Sequence, residues 1–250
     1  VGEVLAATYD FTDADGDANA GASFQWYRAN DNAGTNEVEI MGATDSTYTP
    51  IPSDNFKYLR LDVTPSDGIE SGEKVSSGYV LVSPFEGGSG TEADPFLITT
   101  AAQLDSIRTN IDDLGYITGH YKLNNDIDLN VAPYNQGNGW IPFKGSFGDG
   151  DFDGTFDGDN HTISGLYINS SDFELIGLFG FISGTIRNLK LTDVNITSGS
   201  VYVGSLGYAG SVSNVHVTGT VRGGSSMTGG LISRGANITN SSFMGTVTGT

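Results

Sequence analysis

One short sequence pattern recurs four times in the last third of the chain. Each copy reads polar, β-branched, polar, Gly or Asn, then an apolar or small residue, at positions 162–166, 185–189, 211–215 and 237–241. Their β-branched residues lie 23, 26 and 26 residues apart. Self-similarity at a period of about 20–50 residues indicates stacked repeats, which bury their apolar sides only against their neighbours. The chain is therefore predicted to contain a solenoid.

The repeats have the alternation of β-strands. Ile186 and Leu191 in one copy recur as Val212 and Val217 in the next, with polar residues between them and glycines at the turns. This period of two predicts strands with one buried side, three to a coil, in coils about 4.8 Å apart. One inward column is expected to hold the four β-branched residues, Ile163, Ile186, Val212 and Ile238.

Asparagine occupies one register of the repeat. Asn188, Asn214 and Asn240 lie 26 residues apart, and Gly165 takes that place in the first unit. Stacked Asn side chains can bond to one another along a column of strands. An internal ladder at a turn is the favoured interpretation, and a polar strip for a ligand is the alternative.

Further motifs resemble the GLUG repeat family. The segments that carry the resemblance begin with the Asp-rich stretch at 156–166 and continue with Gly-rich matches at 176–180, 203–207 and 228–232. The similarity covers roughly residues 85–250, but Ser233-Arg234-Gly235 departs from the pattern in the last unit. The resemblance implies a right-handed β-helix in a bacterial cell-surface or secreted protein, and it implies no reaction.

The N-terminal residues 1–83 lack the repeat and show short alternating runs separated by turns. This spacing is typical of a β-sandwich of about seven strands. Trp26, within Phe24-Gln25-Trp26-Tyr27-Arg28, resembles the buried tryptophan of an immunoglobulin-like domain, and Tyr58 resembles its corner tyrosine. Since the chain has no cysteine, the resemblance is to bacterial Ig-like modules without a disulfide, which act mostly as spacers.

A linker and a helix are expected between these regions. Residues 84–95 are rich in Gly and bounded by Pro, which indicates a linker before a solenoid at 96–250. Apolar residues then recur at spacings of three and four after Thr100, a candidate N-cap. They predict one amphipathic helix near 100–114 that caps the solenoid, as the helix does in the family that the chain resembles.

Two acidic runs are candidate calcium sites. The first holds Asp10, Asp13, Asp15 and Asp17, and the second holds Asp149, Asp151 and Asp153. Calcium prefers six to eight oxygen ligands, which closely spaced carboxylates and carbonyls can supply. The alternatives are a solvated acidic turn for the first run and a flexible loop for the second, because Asp and Gly are common in turns.

Composition excludes several partners. With 11 basic and 30 acidic residues, the formal net charge is −19, which argues against nucleic acid and anionic membrane surfaces. No apolar run is long enough for a transmembrane helix. The chain starts without a signal peptide and ends inside a repeat unit, so we expect it to be a segment of a longer polypeptide.

The sequence shows no catalytic motif, so a non-enzymatic role is predicted. The leading hypothesis is an extracellular segment of a bacterial surface adhesin or matrix protein that binds a glycan, a cell surface or its own copies. The alternatives are part of a polysaccharide-active β-helix enzyme and a structural subunit of an extracellular fibre. Loops at 130–139 and 148–154 are predicted to wall a shallow groove. The candidate ligand-binding residues are the outward aromatics Tyr167, Tyr202 and Tyr208.

Overall fold

The structure is a computed structural model that describes residues 4–12, 18–110, 117–148, 150–224, 226–235 and 237–249. The chain divides into two compact units, Val1–Pro84 and Phe85–Thr250. The first is a small antiparallel β-sandwich and the second is a β-solenoid. Regular structure in the described residues is nearly all β, with one short α-helix, which confirms the predicted fold class.

The first unit is built from two antiparallel sheets. Its strands are β1 (Leu5–Ala6), β2 (Gly21–Ala29), β3 (Val38–Glu39), β4 (Thr47–Tyr48), β5 (Tyr58–Ser66), β6 (Val75–Ser76) and β7 (Val80–Leu81), with a 3-10 turn at Pro52–Asp54. β1 pairs with β4, while β2, β3, β5, β6 and β7 form the second sheet. The long β2–β5 pair, in which Trp26 lies opposite Leu61, forms the centre of that sheet.

A small apolar core holds the two sheets together. Trp26, Leu61 and Val63 are buried, and residues of the first sheet such as Leu5 and Tyr48 pack against them. The buried position of Trp26 was predicted from the sequence. Because the first sheet has two described strands, it covers the larger sheet incompletely and leaves a cavity of about 500 Å³ beside Trp26.

A buried carboxylate organises the corner before β5. Asp54 is fully buried and accepts hydrogen bonds from Arg28 Nη1 at 2.9 Å, Tyr48 Oη at 2.8 Å and the Ile51 amide at 2.8 Å. Burial, together with the hydrogen bond to Asp54, raises the pKa of Tyr48 to about 12. The tyrosine that hydrogen-bonds at this corner is thus Tyr48, whereas sequence resemblance suggested Tyr58.

The second unit begins inside the segment assigned to a linker. Phe85 is buried, and its ring lies 4.7 Å from that of Phe96 and 5.6 Å from that of Tyr121, measured between centroids. Glu86 N donates to Leu97 O at 3.0 Å. These contacts place residues from Phe85 onward against the first strands of the solenoid.

The helix is shorter than the sequence suggested. α1 spans Ala101–Ser106 and is followed by a 3-10 turn at Ile107–Thr109, while residues 111–116 lie outside the described part of the chain. Thr100 caps α1, since its side chain accepts a hydrogen bond from Gln103 N at 3.2 Å. Leu104 and Ile107 are fully buried, so the apolar side of the helix packs on the solenoid.

The solenoid consists of parallel strands. They are β8 (Phe96–Ile98), β9 (His120–Leu123), β10 (Ile127–Asp128), β11 (Thr155–Asp157), β12 (Thr162–Ser164), β13 (Tyr167–Asn169), β14 (Leu175–Ile176), β15 (Gly180–Phe181), β16 (Thr185–Thr197), β17 (Tyr202–Val203), β18 (Gly207–Tyr208), β19 (Ser211–Arg222), β20 (Met227–Thr228), β21 (Asn237–Thr239) and β22 (Ser242–Thr248). β16 and β19 are the longest and run side by side. The handedness of the coils stays a prediction from the family resemblance.

Strand pairing defines the inward columns and corrects one expected register. One column runs through Phe96, Tyr121, Phe156, Ile186, Val212 and Ile238. Ile163 instead lies opposite Leu191, in a separate column with Ile127, Val217 and Phe243. The single column expected for Ile163, Ile186, Val212 and Ile238 is therefore wrong, because Phe156 on β11 occupies the place assigned to Ile163. Ile238 is also 47% exposed, since it lies on the last described coil.

The asparagines form the expected hydrogen-bonded ladder along the stack, but it is partly exposed and begins at another residue. Asn214 Nδ2 donates to Asn188 Oδ1 at 3.0 Å, and Asn240 Nδ2 donates to Asn214 Oδ1 at 3.2 Å. Below them, Asn188 Nδ2 donates to Asp157 Oδ1 at 3.0 Å, so Asp157 rather than Gly165 starts the row. The three asparagines have φ of 53°, 54° and 43°. This left-handed conformation is one that Asn tolerates better than most residues.

No helix in the described ranges is long and apolar enough to cross a membrane.

Candidate functional site

The three tyrosines predicted to bind a ligand lie in two different places on the solenoid. Tyr202 on β17 and Tyr208 on β18 come together, whereas Tyr167 on β13 belongs to the sheet of β16 and β19. All three are partly exposed. The three tyrosines are therefore accessible at the surface, as expected. They do not form one site, however, and define two candidate sites instead.

The first site is an aromatic cluster formed by Phe147, Phe181, Tyr202 and Tyr208. Phe147 lies at its centre, with ring centroids 5.6 Å from Phe181, 5.6 Å from Tyr202 and 5.4 Å from Tyr208. Tyr202 and Tyr208 are 4.9 Å apart, and the rings meet edge to face. Such contacts are favourable because the positive edge of one ring meets the negative face of the next.

The local fold explains why these rings meet. Phe181 lies opposite Tyr208 in the β15–β18 pair, so successive coils place their rings one above the other. Phe147 arrives from the loop before β11, where its amide donates to Glu174 Oε2 at 3.2 Å. Its side chain is nevertheless 45% exposed. The cluster thus presents one open ring supported by three half-buried ones.

The second site is a polar groove of about 410 Å³ beside Tyr167. It is lined by Asp128, Asn130, Asn135, Ser164, Gly165, Tyr167, Asp193 and Asn195. Asn130 and Asn135 come from the excursion at 130–139, one of the two loops predicted to wall a groove, whereas no described residue of the other loop, 148–154, lines it. The other lining residues come from three successive coils. The groove is within the size range of ligand sites, although it is open and polar.

Hydrogen bonds fix the wall of this groove. Trp140 N donates to Tyr167 O at 2.7 Å, and Asn169 N donates to Asn138 O at 2.9 Å. Gly139 has φ +76°, and a Cβ there would lie 2.1 Å from Tyr167 O, so glycine permits this close approach. Trp140 is buried, and its Nε1 donates to Leu178 O at 3.0 Å, which anchors the excursion in the core.

Strand irregularity directs another residue to the groove. The β16–β19 register shifts between Leu191 and Val194, and Asp193 has φ +55°. A bulge of this kind changes the direction of a side chain and is common beside functional sites. From the sequence, Asp193 was visible as the lone acid of residues 175–250, but the bulge that brings it to Tyr167 was not.

The calcium candidates remain predictions. Asp13, Asp15, Asp17 and Asp149 lie outside the described residues, so the structure does not place these carboxylates. Of the remaining candidates, Asp153 accepts a hydrogen bond from Ser183 Oγ at 3.1 Å. Within the described ranges, no group of three or more His, Asp or Glu side chains is arranged to hold a metal ion.

Some solenoid carboxylates have structural partners. Burial alone would raise the pKa of Asp157, but hydrogen bonds from Asn188, the Asp159 amide and Arg187 outweigh it and lower that pKa. The pKa of Asp126 is lowered by hydrogen bonds from the Thr162 amide and His161. Groups stabilised as anions in this way are poor proton donors for acid catalysis at neutral pH.

Comparisons with known proteins describe the two units separately. A family described as the Ig domain of a plant-specific actin-binding protein (SCAB-Ig) matches residues 11–77. This match, together with the sandwich around Trp26, supports an Ig-like module in the first unit, followed by the β-solenoid. The match spans well under half of the chain.

Two curated relatives are much longer than this chain. A protein assigned as a Gly-rich membrane protein in Evansella cellulosilytica is 41% identical over 124 residues, which is 49% of this chain and 14% of the relative. Halomucin of Haloquadratum walsbyi is 30% identical over 209 residues, 80% of this chain and 2% of the relative. The chain thus corresponds to a small part of each.

One solved structure is also similar. It is a protein assigned as an immunoglobulin A1 protease from Bacteroides ovatus, with 23% identity and a TM-score of 0.48, covering 63% of this chain and 50% of that chain. That likeness is too weak to support an argument about fold or reaction.

Proposed function

We propose that this chain is a non-enzymatic, extracellular segment of a bacterial cell-surface adhesin or matrix protein, and that its solenoid binds glycans on a cell or matrix surface. The names of its relatives, a Gly-rich membrane protein and a halomucin, are consistent with a surface location. The acidic composition, with a net charge of −19, suits a segment that remains soluble while it projects into the medium.

The observation that carries this proposal is the aromatic cluster. Phe147 is exposed, and its ring packs against Phe181, Tyr202 and Tyr208. The ring is therefore accessible to a ligand while its orientation is fixed by these contacts. Rigid aromatic rings with polar ends lose little conformational entropy on binding and offer large contact areas. A carbohydrate ring can lie with its C–H face on such a surface while its hydroxyl groups stay hydrated.

The repeat architecture favours an extended ligand. Solenoids present long, regular surfaces rather than deep pockets, and such surfaces bind chains. The cluster lies across the β14–β17–β20 and β15–β18 pairings, and in the second of these the paired rings of Phe181 and Tyr208 on successive coils are both partly exposed. Several sugar units of a polysaccharide could therefore contact neighbouring coils. Weak contacts repeated along one ligand add up to useful affinity.

A binding assay with matched variants tests the proposal. The purified chain is incubated with a panel of insoluble polysaccharides and with bacterial cells, and the bound fraction is measured for the parent, Phe147→Ala and Tyr167→Ala. We expect Phe147→Ala to weaken the binding carried by the cluster about tenfold, as for the loss of roughly 1.4 kcal/mol. Tyr167 lies outside the cluster, so Tyr167→Ala reports on the groove beside it. Asn124→Ala, at an exposed solenoid position outside both candidate sites, is measured in the same way as the control.

The same incubations test the absence of enzymatic activity. New reducing ends or unsaturated sugar products in the supernatant, proportional to the concentration of the chain, would contradict the non-enzymatic proposal. Equal binding by the parent and by a folded Phe147→Ala variant would remove the cluster from the proposal. Circular dichroism and thermal melting establish that each variant retains the fold.

A further inference from the structure

The polar groove beside Tyr167 has a chemistry of its own. Asp128 Oδ1 accepts hydrogen bonds from Asn130 N at 2.8 Å and Ser164 Oγ at 3.5 Å, and Asn135 Nδ2 donates to Asn130 Oδ1 at 3.3 Å. These bonds fix the positions of the side chains along one wall. The groove is therefore a set of oriented polar groups on two rigid elements.

On the opposite wall, polar side chains face solvent. Asp193 and Asn195 are exposed, and the described structure shows no hydrogen bond from either side chain to the protein. The β16–β19 bulge holds Asp193 in place, and Asn195 lies beside Tyr167 in the β13–β16 pair. An ionised carboxylate only accepts hydrogen bonds, whereas an amide both donates and accepts. Together they match neighbouring hydroxyl groups, which also donate and accept.

The charge of the groove limits its ligands. Its described lining contains the carboxylates Asp128 and Asp193 and no basic side chain. Two carboxylates without a cation repel an anionic ligand such as a uronate or a sulfated sugar. The described residues do not form a metal-binding group of three carboxylate or His side chains. The amides of Asn130, Asn135 and Asn195 both donate to and accept from hydroxyl groups, which favours a ligand rich in hydroxyls. The two carboxylates would also attract a cationic ligand, so the test below includes one.

Tyr167 supplies the remaining feature. It is half-buried and lines the groove, its main-chain carbonyl accepts a hydrogen bond from Trp140 N, and its ring edge lies close to Gly139 of the excursion. A pyranose has an apolar C–H face that can rest on an aromatic ring while its equatorial hydroxyls reach polar side chains at the edges. Ligand sites commonly combine an aromatic or apolar surface with a few placed polar groups in this way.

We propose that this groove is a second glycan-binding site, separate from the aromatic cluster, and that it takes uncharged pyranose units of a polysaccharide. The inference shares with the proposed function only the ligand class. Tyr167 provides the stacking surface, Asp193 and Asn195 bind hydroxyl groups from one side, and Asp128 with Asn130 and Asn135 binds them from the other. Outward positions of the next coils, Thr220 and Thr246, continue the row of Tyr167 and Asn195.

Calorimetric titration of the full chain tests this site. The probes are cello-, malto-, manno- and xylo-oligosaccharides as uncharged ligands, oligogalacturonate as an anionic one and glucosamine oligomers as cationic ones. We expect at least one uncharged oligosaccharide to bind, and oligogalacturonate to bind at least about tenfold more weakly, equal to roughly 1.4 kcal/mol. Tyr167→Ala is expected to lower the affinity for the uncharged ligand about tenfold, which again equals roughly 1.4 kcal/mol.

Two further variants keep the test independent of folding. Asn195→Ala alters an exposed side chain and should weaken binding about fivefold, as for one lost hydrogen bond. Asp193→Asn keeps a residue that tolerates positive φ and should allow oligogalacturonate to bind more tightly than it binds the parent. Asn124→Ala, at an exposed solenoid position outside both the groove and the aromatic cluster, is the matched control and should leave these titrations unchanged. Phe147→Ala is titrated beside it and reports any oligosaccharide that binds at the cluster.

Several results would overturn the inference. They are no binding of any uncharged probe, equal affinity in folded Tyr167→Ala and Asn195→Ala variants, or tighter binding of the anionic or cationic oligomers. Loss of binding in Phe147→Ala alone would assign the ligand to the aromatic cluster and leave the proposed function standing without this groove. Conversely, if oligosaccharides bind the groove but Phe147→Ala has no effect on polysaccharide adhesion, the groove proposal stands and the aromatic cluster is not the binding site.

Discussion

The two units of this chain bury different kinds of residue. The Ig-like module has a small apolar core around Trp26 and buries two carboxylates, Asp54 and Asp62. The solenoid instead buries long apolar columns, and most of its buried polar residues are serines, such as Ser198 and Ser205. An antiparallel sandwich whose smaller sheet has two described strands has little apolar surface to bury, whereas each coil of a solenoid extends the same columns.

Polar interactions therefore differ in kind between the units. In the module the ion pairs include buried carboxylates: Arg60 forms a bidentate pair with Glu37 and also contacts the buried Asp62. In the solenoid the ion pairs, such as Arg187 with Asp157, are more exposed, and neutral bonds repeat along the stack, as in the ladder of Asn188, Asn214 and Asn240. Removing one member should disrupt the module strongly and the solenoid by a smaller, local amount. Three experiments test this comparison, in order of expected effect.

The largest effect is expected from Asp54→Ala in the module. The substitution removes the only carboxylate that the described structure pairs with Arg28, which keeps its hydrogen bonds to Ser53, and it removes the acceptor of the Tyr48 hydroxyl and the Ile51 amide. Breaking a buried ion pair from one side costs about 3 kcal/mol or more. Hydrogen exchange measured by mass spectrometry on the whole chain should show faster exchange in β2 and β5 and unchanged exchange in β16 and β19.

The matched control is Glu73→Ala, which removes the same charge from an exposed side chain of the same unit. It should leave exchange in β2 and β5 within the error of the parent. If Asp54→Ala and Glu73→Ala had equal effects, the buried carboxylate would not be what stabilises the corner of the module.

A smaller effect is expected from Asn214→Ala in the solenoid. The variant loses the ladder bonds to Asn188 and Asn240, each worth about 0.5–1.5 kcal/mol net. It also places Ala at φ 54°, which costs about 1–2 kcal/mol. Because the ladder bonds are partly exposed, their low values apply, and urea unfolding followed by far-UV circular dichroism should show a loss of about 2–3 kcal/mol.

Two variants separate the causes of this loss. Asn214→Gly removes the same hydrogen bonds but adopts positive φ easily, so it should be more stable than Asn214→Ala. Asn169→Ala, at an exposed position of β13, should change stability little. Equal stability of Asn214→Gly and Asn214→Ala would show that backbone conformation contributes nothing at this position.

The smallest effect is expected from acid. In the module, the Arg60 hydrogen bond lowers the pKa of Glu37, and the hydrogen bonds of Asp62 with Lys74 and Ser76 and the charge of Arg60 outweigh its burial to lower the Asp62 pKa. Carboxyls with a depressed folded pKa stabilise the fold above their unfolded pKa of about 4. That contribution is lost as the pH falls through the folded pKa.

The free energy of unfolding should thus be constant near neutral pH and fall below about pH 4. In the Glu37→Gln variant, the free energy of unfolding of the module should fall less steeply as the pH is lowered. Hydrogen exchange measured between pH 3 and pH 6 follows this change. The control is Glu73→Gln, whose profile should match that of the parent. A profile for Glu37→Gln that is as steep as the parent's would contradict a role for the Arg60 pair.

The architecture of both units could be predicted from local sequence patterns, but the register could not be predicted everywhere. The period of 26 residues correctly aligns Ile186, Val212 and Ile238. The first repeat, at Ile163, was misaligned because two short strands, β11 and β12, both pair with the first part of β16. Two similar short motifs, at Phe156 and Ile163, then compete for one position, and only strand pairing distinguishes them.

The candidate sites, too, could be predicted only in part from the sequence. The outward positions of Tyr167, Tyr202 and Tyr208 follow from strand alternation. Phe147 and Asp193 were missed, because a loop and a bulge carry them to their partners. Neither feature has a periodic signal in the sequence, since each is a departure from the period.

The sequence by itself determined the β-solenoid, the Trp26 sandwich before it and the Asn ladder, because these depend on short patterns that repeat or alternate along the chain. Only the tertiary structure decided which rings form the aromatic cluster and which polar groups line the groove beside Tyr167. The physical reason is that strands stack by hydrogen bonds between residues some 26 positions apart, while loops and bulges shift that register locally. The side chains that meet at a site are therefore neighbours through the coil stack and distant along the chain.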